Sequence, residues 1–136
     1  MSRAQASLEY LIVLAALFAF LAAFLPLAAG VYEKAHFLMV SKTQESAFNR
    51  LAEACSRAST LGYSSKLAVD VSFAAKETRF GAGAFVMEFK DGNSSASLAS
   101  EVSCRVEPGG KVFSKGSHSA IVSASGSGSP VVQFSK

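Results

Sequence analysis

Residues 11–31 read LIVLAALFAFLAAFLPLAAGV, and the charge-free stretch extends from Tyr10 to Tyr32, bounded by Glu9 and Glu33. As an α-helix rising about 1.5 Å per residue, that stretch spans roughly 35 Å, enough to cross the hydrocarbon of a bilayer. Its six Leu, three Phe, one Ile and two Val together favour insertion by roughly 4–7 kcal/mol. Apolar residues lie all round this helix, so it has no face suited to water. It must lie in lipid or among other helices. A plain membrane anchor meets that requirement. A secretory signal peptide fits less well, because its apolar region is shorter and ends in a small-residue cleavage site.

Outside the run the composition is ordinary. Half of the chain is hydrophobic and the formal net charge is +3, with a mean hydropathy of +0.32. The excess apolarity sits in the run, and the remainder is polar and serine-rich. No block of like charge occurs, so the basic stripe of a nucleic-acid binder is missing. The reading is an apolar rod joined to a small polar head, with no internal repeat and no second globular domain.

The residues before the run read Met1-Ser2-Arg3-Ala4-Gln5-Ala6-Ser7-Leu8-Glu9-Tyr10. This resembles the class III signal peptide of archaeal type IV pilins, in which a short basic leader and a small residue precede Gln-x-Ser-x-Glu-Tyr and an apolar helix. Gln5, Ser7, Glu9 and Tyr10 match in order, although the leader is very short. The resemblance implies cleavage between Ala4 and Gln5 by a prepilin peptidase, with residues 1–4 as leader. Residues 5–32 then remain on the mature protein as a transmembrane and assembly helix. It implies a structural subunit of a surface filament, anchored in the cytoplasmic membrane before assembly and extracellular after it. The expected partners are copies of itself, other pilins, the prepilin peptidase and membrane lipid. The expected fold is α+β: a long helix, hydrophobic then amphipathic, packed on a small antiparallel sheet, with residues 33–136 supplying the amphipathic half and the head. The resemblance implies that such displayed heads serve adhesion. The alternative is a monomeric membrane-anchored surface protein that binds a ligand or partner and forms no filament.

Glu9 admits two readings. A carboxylate costs roughly 2.5–3.5 kcal/mol at the centre of a membrane helix, so Glu9 either stays hydrated at the headgroups beside Tyr10 or is paired. Cleavage before Gln5 creates an α-amino group of pKa near 7.7–8. In a bundle of helices that cation is a suitable partner for Glu9 of a neighbouring subunit. Pro26 removes one backbone hydrogen bond and marks a kink, tolerated in a membrane helix.

From Glu33 the pattern becomes amphipathic. Phe37, Leu38, Phe48, Leu51, Cys55, Ala58 and Leu61 recur at helical spacing on or near one stripe, and Gly62 is the expected stop. From Lys66 the period changes to two. Leu67, Val69, Val71 and Phe73 form one face of a strand. Further strands are expected at residues 84–90, 98–107, 111–114, 119–124 and 131–135. Asp91-Gly92-Asn93 and Pro108-Gly109-Gly110 are the expected turns. A single antiparallel sheet with one face under the helix accommodates these alternations. Residues 123–129 (SASGSGS) read as a flexible loop before the last strand.

Cys55 lies on the apolar stripe and Cys104 on the inward face of a strand, and a disulfide is expected between them. The alternative is a pair of buried thiols. Outside the cell such a bond persists, and a small head gains from one. His36 and His118 belong to no metal-spaced cluster. No catalytic constellation or phosphate loop is present, and Gly81-Ala82-Gly83 lacks the residues that such a loop requires. No cofactor or metal is therefore expected, and no enzymatic activity. Asn93-Ser94-Ser95 is an N-glycosylation sequon beside a turn.

Overall fold

The computed structural model describes residues 2–61, 65–81, 85–124 and 128–135, with side chains from Ser7 onward. A single helix, α1, runs from Ser2 to Leu61 and passes through Pro26 without interruption. Gly62, the expected stop, follows immediately in sequence and lies outside the described residues. Contacts divide the chain into two units, Met1–His36 and Phe37–Lys136.

In the second unit the end of α1 is followed, among the described residues, by eight strands: β1 (Lys66–Phe73), β2 (Glu77–Phe80), β3 (Val86–Asp91), β4 (Ser94–Ala99), β5 (Arg105–Glu107), β6 (Val112–Phe113), β7 (Gly116–Ser123) and β8 (Val131–Phe134). They form two four-stranded sheets, ordered β1-β7-β8-β5 and β4-β3-β2-β6. All pairings are antiparallel except β5 with β8. The architecture is thus α+β, a long N-terminal helix on antiparallel-rich sheet, divided into two sheets where alternation alone suggested one.

The expected strand over residues 98–107 divides for the same reason. Leu98 and Ala99 complete β4, whereas Arg105–Glu107 pairs in parallel with β8 of the other sheet. The chain crosses between sheets over residues 100–104, which period-two alternation cannot reveal. Two strands also escape the periodic reading. β4 is rich in serine, and β2 is only four residues long. β3 and β4 form a hairpin whose last pair is Asp91 with Ser94, leaving Gly92 and Asn93 as the loop. Gly92 has φ of 61°, a conformation costly for residues with a Cβ and typical of a tight hairpin turn.

The helical stripe of the second unit comprises Val40, Gln44, Ala47, Phe48, Leu51, Ala54, Cys55 and Ala58, all buried. Phe37 lies on the same face, packed against the core. Leu38 and Leu61 were expected there, but they are exposed at 64% and 66%. Leu38 is one residue, about 100° of rotation, from Phe37, and Leu61 closes the helix beyond the last buried turn. The helix meets β3 through Phe37–Phe89 and the residue just before it through Phe48–Phe85, with ring centroids 6.2 and 4.8 Å apart.

The two sheets are joined by phenylalanines. Phe73 of β1 lies 6.0 Å from Phe80 of β2, 5.7 Å from Phe113 of β6 and 6.1 Å from Phe134 of β8. Phe113 and Phe134 approach to 4.3 Å. Aromatic pairs at these separations add about 0.5–1.5 kcal/mol each beyond their area burial. Alternation in β1 explains the geometry: Val71 and Phe73 point inward, and Asp70 and Ser72 point to solvent.

Candidate functional site

The described part of the first unit has an exposed apolar surface. Leu8, Leu11, Ile12, Val13, Leu17, Phe18, Phe20, Leu21, Phe24, Leu25, Leu27 and Val31 are all exposed, and only Leu14 is half-buried. The segment is long and apolar enough to cross a membrane. Covering each large apolar side chain is favourable by about 1.5–3 kcal/mol. Lipid tails or neighbouring helices supply equivalent cover, and a membrane anchor or a signal sequence near an N-terminus meets the same criterion of length and composition.

Ser7, Glu9 and Tyr10 occupy the exposed first turns of the described side chains. The sequence motif thus continues as helix into the apolar stretch. Ala4 and Gln5 lie on helical backbone, and their side chains are outside the described residues. Phe20 and Phe24, one turn apart, stack at 5.7 Å, and Tyr32 stacks on His36 at 6.4 Å. Both pairs follow from the i,i+4 proximity of side chains on a helix. Pro26 has no N–H to offer the Ala22 carbonyl. A Cβ built on Gly30 meets nothing within 4 Å, so its absence answers no packing need within this chain.

Cys55 and Cys104 are bonded as a disulfide, with Cα atoms 6.1 Å apart and 49 residues of separation. Helix periodicity buries Cys55, and Cys104 enters the core just before β5. The bond fastens α1 to the crossover between the sheets. In the chain-entropy account a loop of this size is worth roughly 4 kcal/mol.

The head's outer surfaces carry paired charge. Register places Glu77 opposite Lys90 and Arg79 opposite Glu88 on β2 and β3. With Ser95 and Ser97 these side chains line a shallow depression on the outer face of the second sheet. On α1, Lys42 Nζ donates to Glu45 Oε2 at 2.8 Å, and this bond and charge raise the Lys42 pKa above its ordinary value. Arg57 donates to Glu53 at 2.6 Å. All these groups are solvent-exposed, so the pairs add little stability.

His118 of β7 is half-buried against the phenylalanines, 5.2 Å from Phe73 and 5.5 Å from Phe113. Its Nε2–H donates to the Ser114 carbonyl at 2.9 Å. Among the described residues, no group of three or more His, Cys, Asp or Glu side chains is arranged to hold a metal ion. Asn93 sits exposed at the β3–β4 turn with Ser95 exposed two residues on.

One buried polar pair was not anticipated. Gln44 Nε2 donates to Thr78 Oγ1 at 3.0 Å, and both residues are fully buried. The signal was available: Gln44 falls four residues after Val40 and four before Phe48, on the apolar stripe, and Thr78 alternates inward with Phe80.

No protein-family model matches the chain, and neither a curated protein nor a solved structure matches it.

Proposed function

We propose that the chain is a structural subunit of an archaeal type IV pilus-like filament, a pilin or pseudopilin, held in the cytoplasmic membrane before assembly. One conjunction carries this reading: Gln5-x-Ser7-x-Glu9-Tyr10 runs without a break into an apolar helix whose described side chains are exposed. A helix bare on all sides suits a life in two solvents. Lipid surrounds it first, and the helices of other subunits replace lipid later.

In this reading a prepilin peptidase cuts between Ala4 and Gln5, and the apolar segment stays on the mature chain. The new amino group on Gln5 then pairs with Glu9 of a neighbour, fixing axial register. Removing one member of such a buried pair costs about 3–5 kcal/mol. Ala15, Ala16, Ala22 and Ala23 permit close approach of helices, as small residues do in membrane helix contacts. The heads face outward and set adhesion or other surface properties, with no substrate chemistry. The Cys55–Cys104 disulfide agrees with a head matured in an oxidising compartment.

The test is the mass of the native protein's N-terminal peptide. A chain beginning at Gln5 with residues 11–31 retained supports the filament reading. An intact Met1 supports the monomeric anchor instead. A start beyond Gly30 makes the helix a discarded signal and defeats both.

A further inference from the structure

We infer that Asn93 is an N-glycosylation site, and that its glycan shields the edge of the head formed by β4. The inference rests on the proposed export of the head, since the acceptor must meet a transferase outside the cytoplasm.

Three observations converge on this residue. First, Asn93-Ser94-Ser95 satisfies the acceptor pattern, with a middle residue other than proline. The chain's other asparagine, Asn49, is followed by Arg50 and Leu51 and does not. Second, the fold presents the sequon. Asn93 is the second residue of a two-residue loop closed by the Asp91–Ser94 pair, and Asn93, Ser94 and Ser95 are all exposed. A bulky substituent there displaces no core side chain.

Third, the strand that follows lacks the usual protection of an edge. β4 is the terminal strand of its sheet, and its sequence SSASLA contains neither a charged residue nor a proline. Such residues normally blunt edge strands against pairing with other chains. Crowding many heads on one filament makes unwanted edge pairing a concentrated hazard. A hydrated glycan rooted at the first turn of this strand excludes a second strand from approaching it.

The chemistry requires a donor of one class, a sugar carried as a polyprenyl phosphate or diphosphate ester. The Asn93 Nδ2 forms a bond to the anomeric carbon of the first sugar. The bond from that carbon to the phosphate oxygen breaks, and the polyprenyl phosphate leaves with the electron pair. One amide proton passes to a base of the transferase, so charge and atoms balance.

The experiment is intact-mass and peptide-mass spectrometry of the full chain purified from its native cells, with protease added to whole cells as a measure of head exposure. The expected result is a peptide containing Asn93 heavier than its sequence by a series of sugar masses. Asn93→Gln and Ser95→Ala abolish that increment, whereas Ser95→Thr and Asn49→Gln keep it. The disulfide, scored in the same spectra, shows that each variant has folded. An unmodified Asn93 peptide on a protease-accessible head overturns the glycosylation and leaves the filament reading standing. An increment that survives in Asn93→Gln also overturns it. A head sealed from external protease overturns both.

Discussion

Gln44 on α1 and Thr78 on β2 share a hydrogen bond of 3.0 Å inside an otherwise apolar core, and Gln44 Oε1 is buried without a hydrogen-bond partner. The bond ties one rotational setting of the helix to one strand of the second sheet. A buried donor left alone costs about 1–3 kcal/mol. Thr78→Val is therefore expected to lower head stability by about that amount, because it strands the Gln44 amide. Gln44→Leu combined with Thr78→Val removes both polar groups and should recover much of the loss. Urea denaturation of the full chain in detergent measures the cycle, and strictly additive single effects would refute the coupling.

The disulfide gives a larger effect. Replacing Cys55 and Cys104 by alanine together removes the constraint on the unfolded chain, and the expected loss is about 2–5 kcal/mol. Thermal unfolding followed by circular dichroism should show the β signal melting earlier in the double variant. Addition of a reductant to the wild type should reproduce the shift and have no effect on the variant.

Phe73 is 1% exposed and meets phenylalanines from both sheets. Phe73→Ala opens a cavity that rings fixed on three other strands fill poorly, at an expected cost of about 3–5 kcal/mol. Phe73→Leu should cost less. The comparison is made by chemical denaturation, and equal stability of Phe73→Ala and the wild type would show that the rings do not hold the sheets together.

Glu9→Ala separates filament from anchor. Under the filament reading the α-amino group of Gln5 loses its partner in the packed bundle, so surface filaments should disappear or become sparse. Membrane insertion should persist, since alanine is no more polar than glutamate. Electron microscopy of cells and fractionation of their membranes provide the two measurements. Normal filaments in the variant would remove Glu9 from assembly, and an absence of filaments in the wild type would favour the anchor.

Much of this molecule is legible because its signals are local. The apolar helix follows from residues 10–32 alone, since absence of charge and length need no tertiary context. The inward face of β1 follows from alternation, and Cys55 follows from helical spacing with Phe48 and Leu51. The rest is hidden because it depends on a distant segment. Leu38 looked as apolar as Phe37, yet only contact with Phe89 decides which of two adjacent residues turns inward. β4 offered serines where a strand normally offers branched or aromatic residues, and it forms because β3 supplies a complete register of partners.

The sequence by itself determined that an apolar helix precedes a small β-rich head, because hydrophobicity and its period are properties of the chain. It also placed the sequon at a turn, where Gly92 permits the backbone conformation. Tertiary structure alone decided that the head has two sheets, that residues 98–107 divide between them, and that β5 runs parallel to β8. Strand partnership depends on which backbone edges come together in space, and side-chain alternation carries no record of the partner. The partner of Gln44 was likewise decided in three dimensions: helical spacing places this glutamine on the buried stripe, and only the packing of β2 on α1 brings the Thr78 hydroxyl to receive its hydrogen bond.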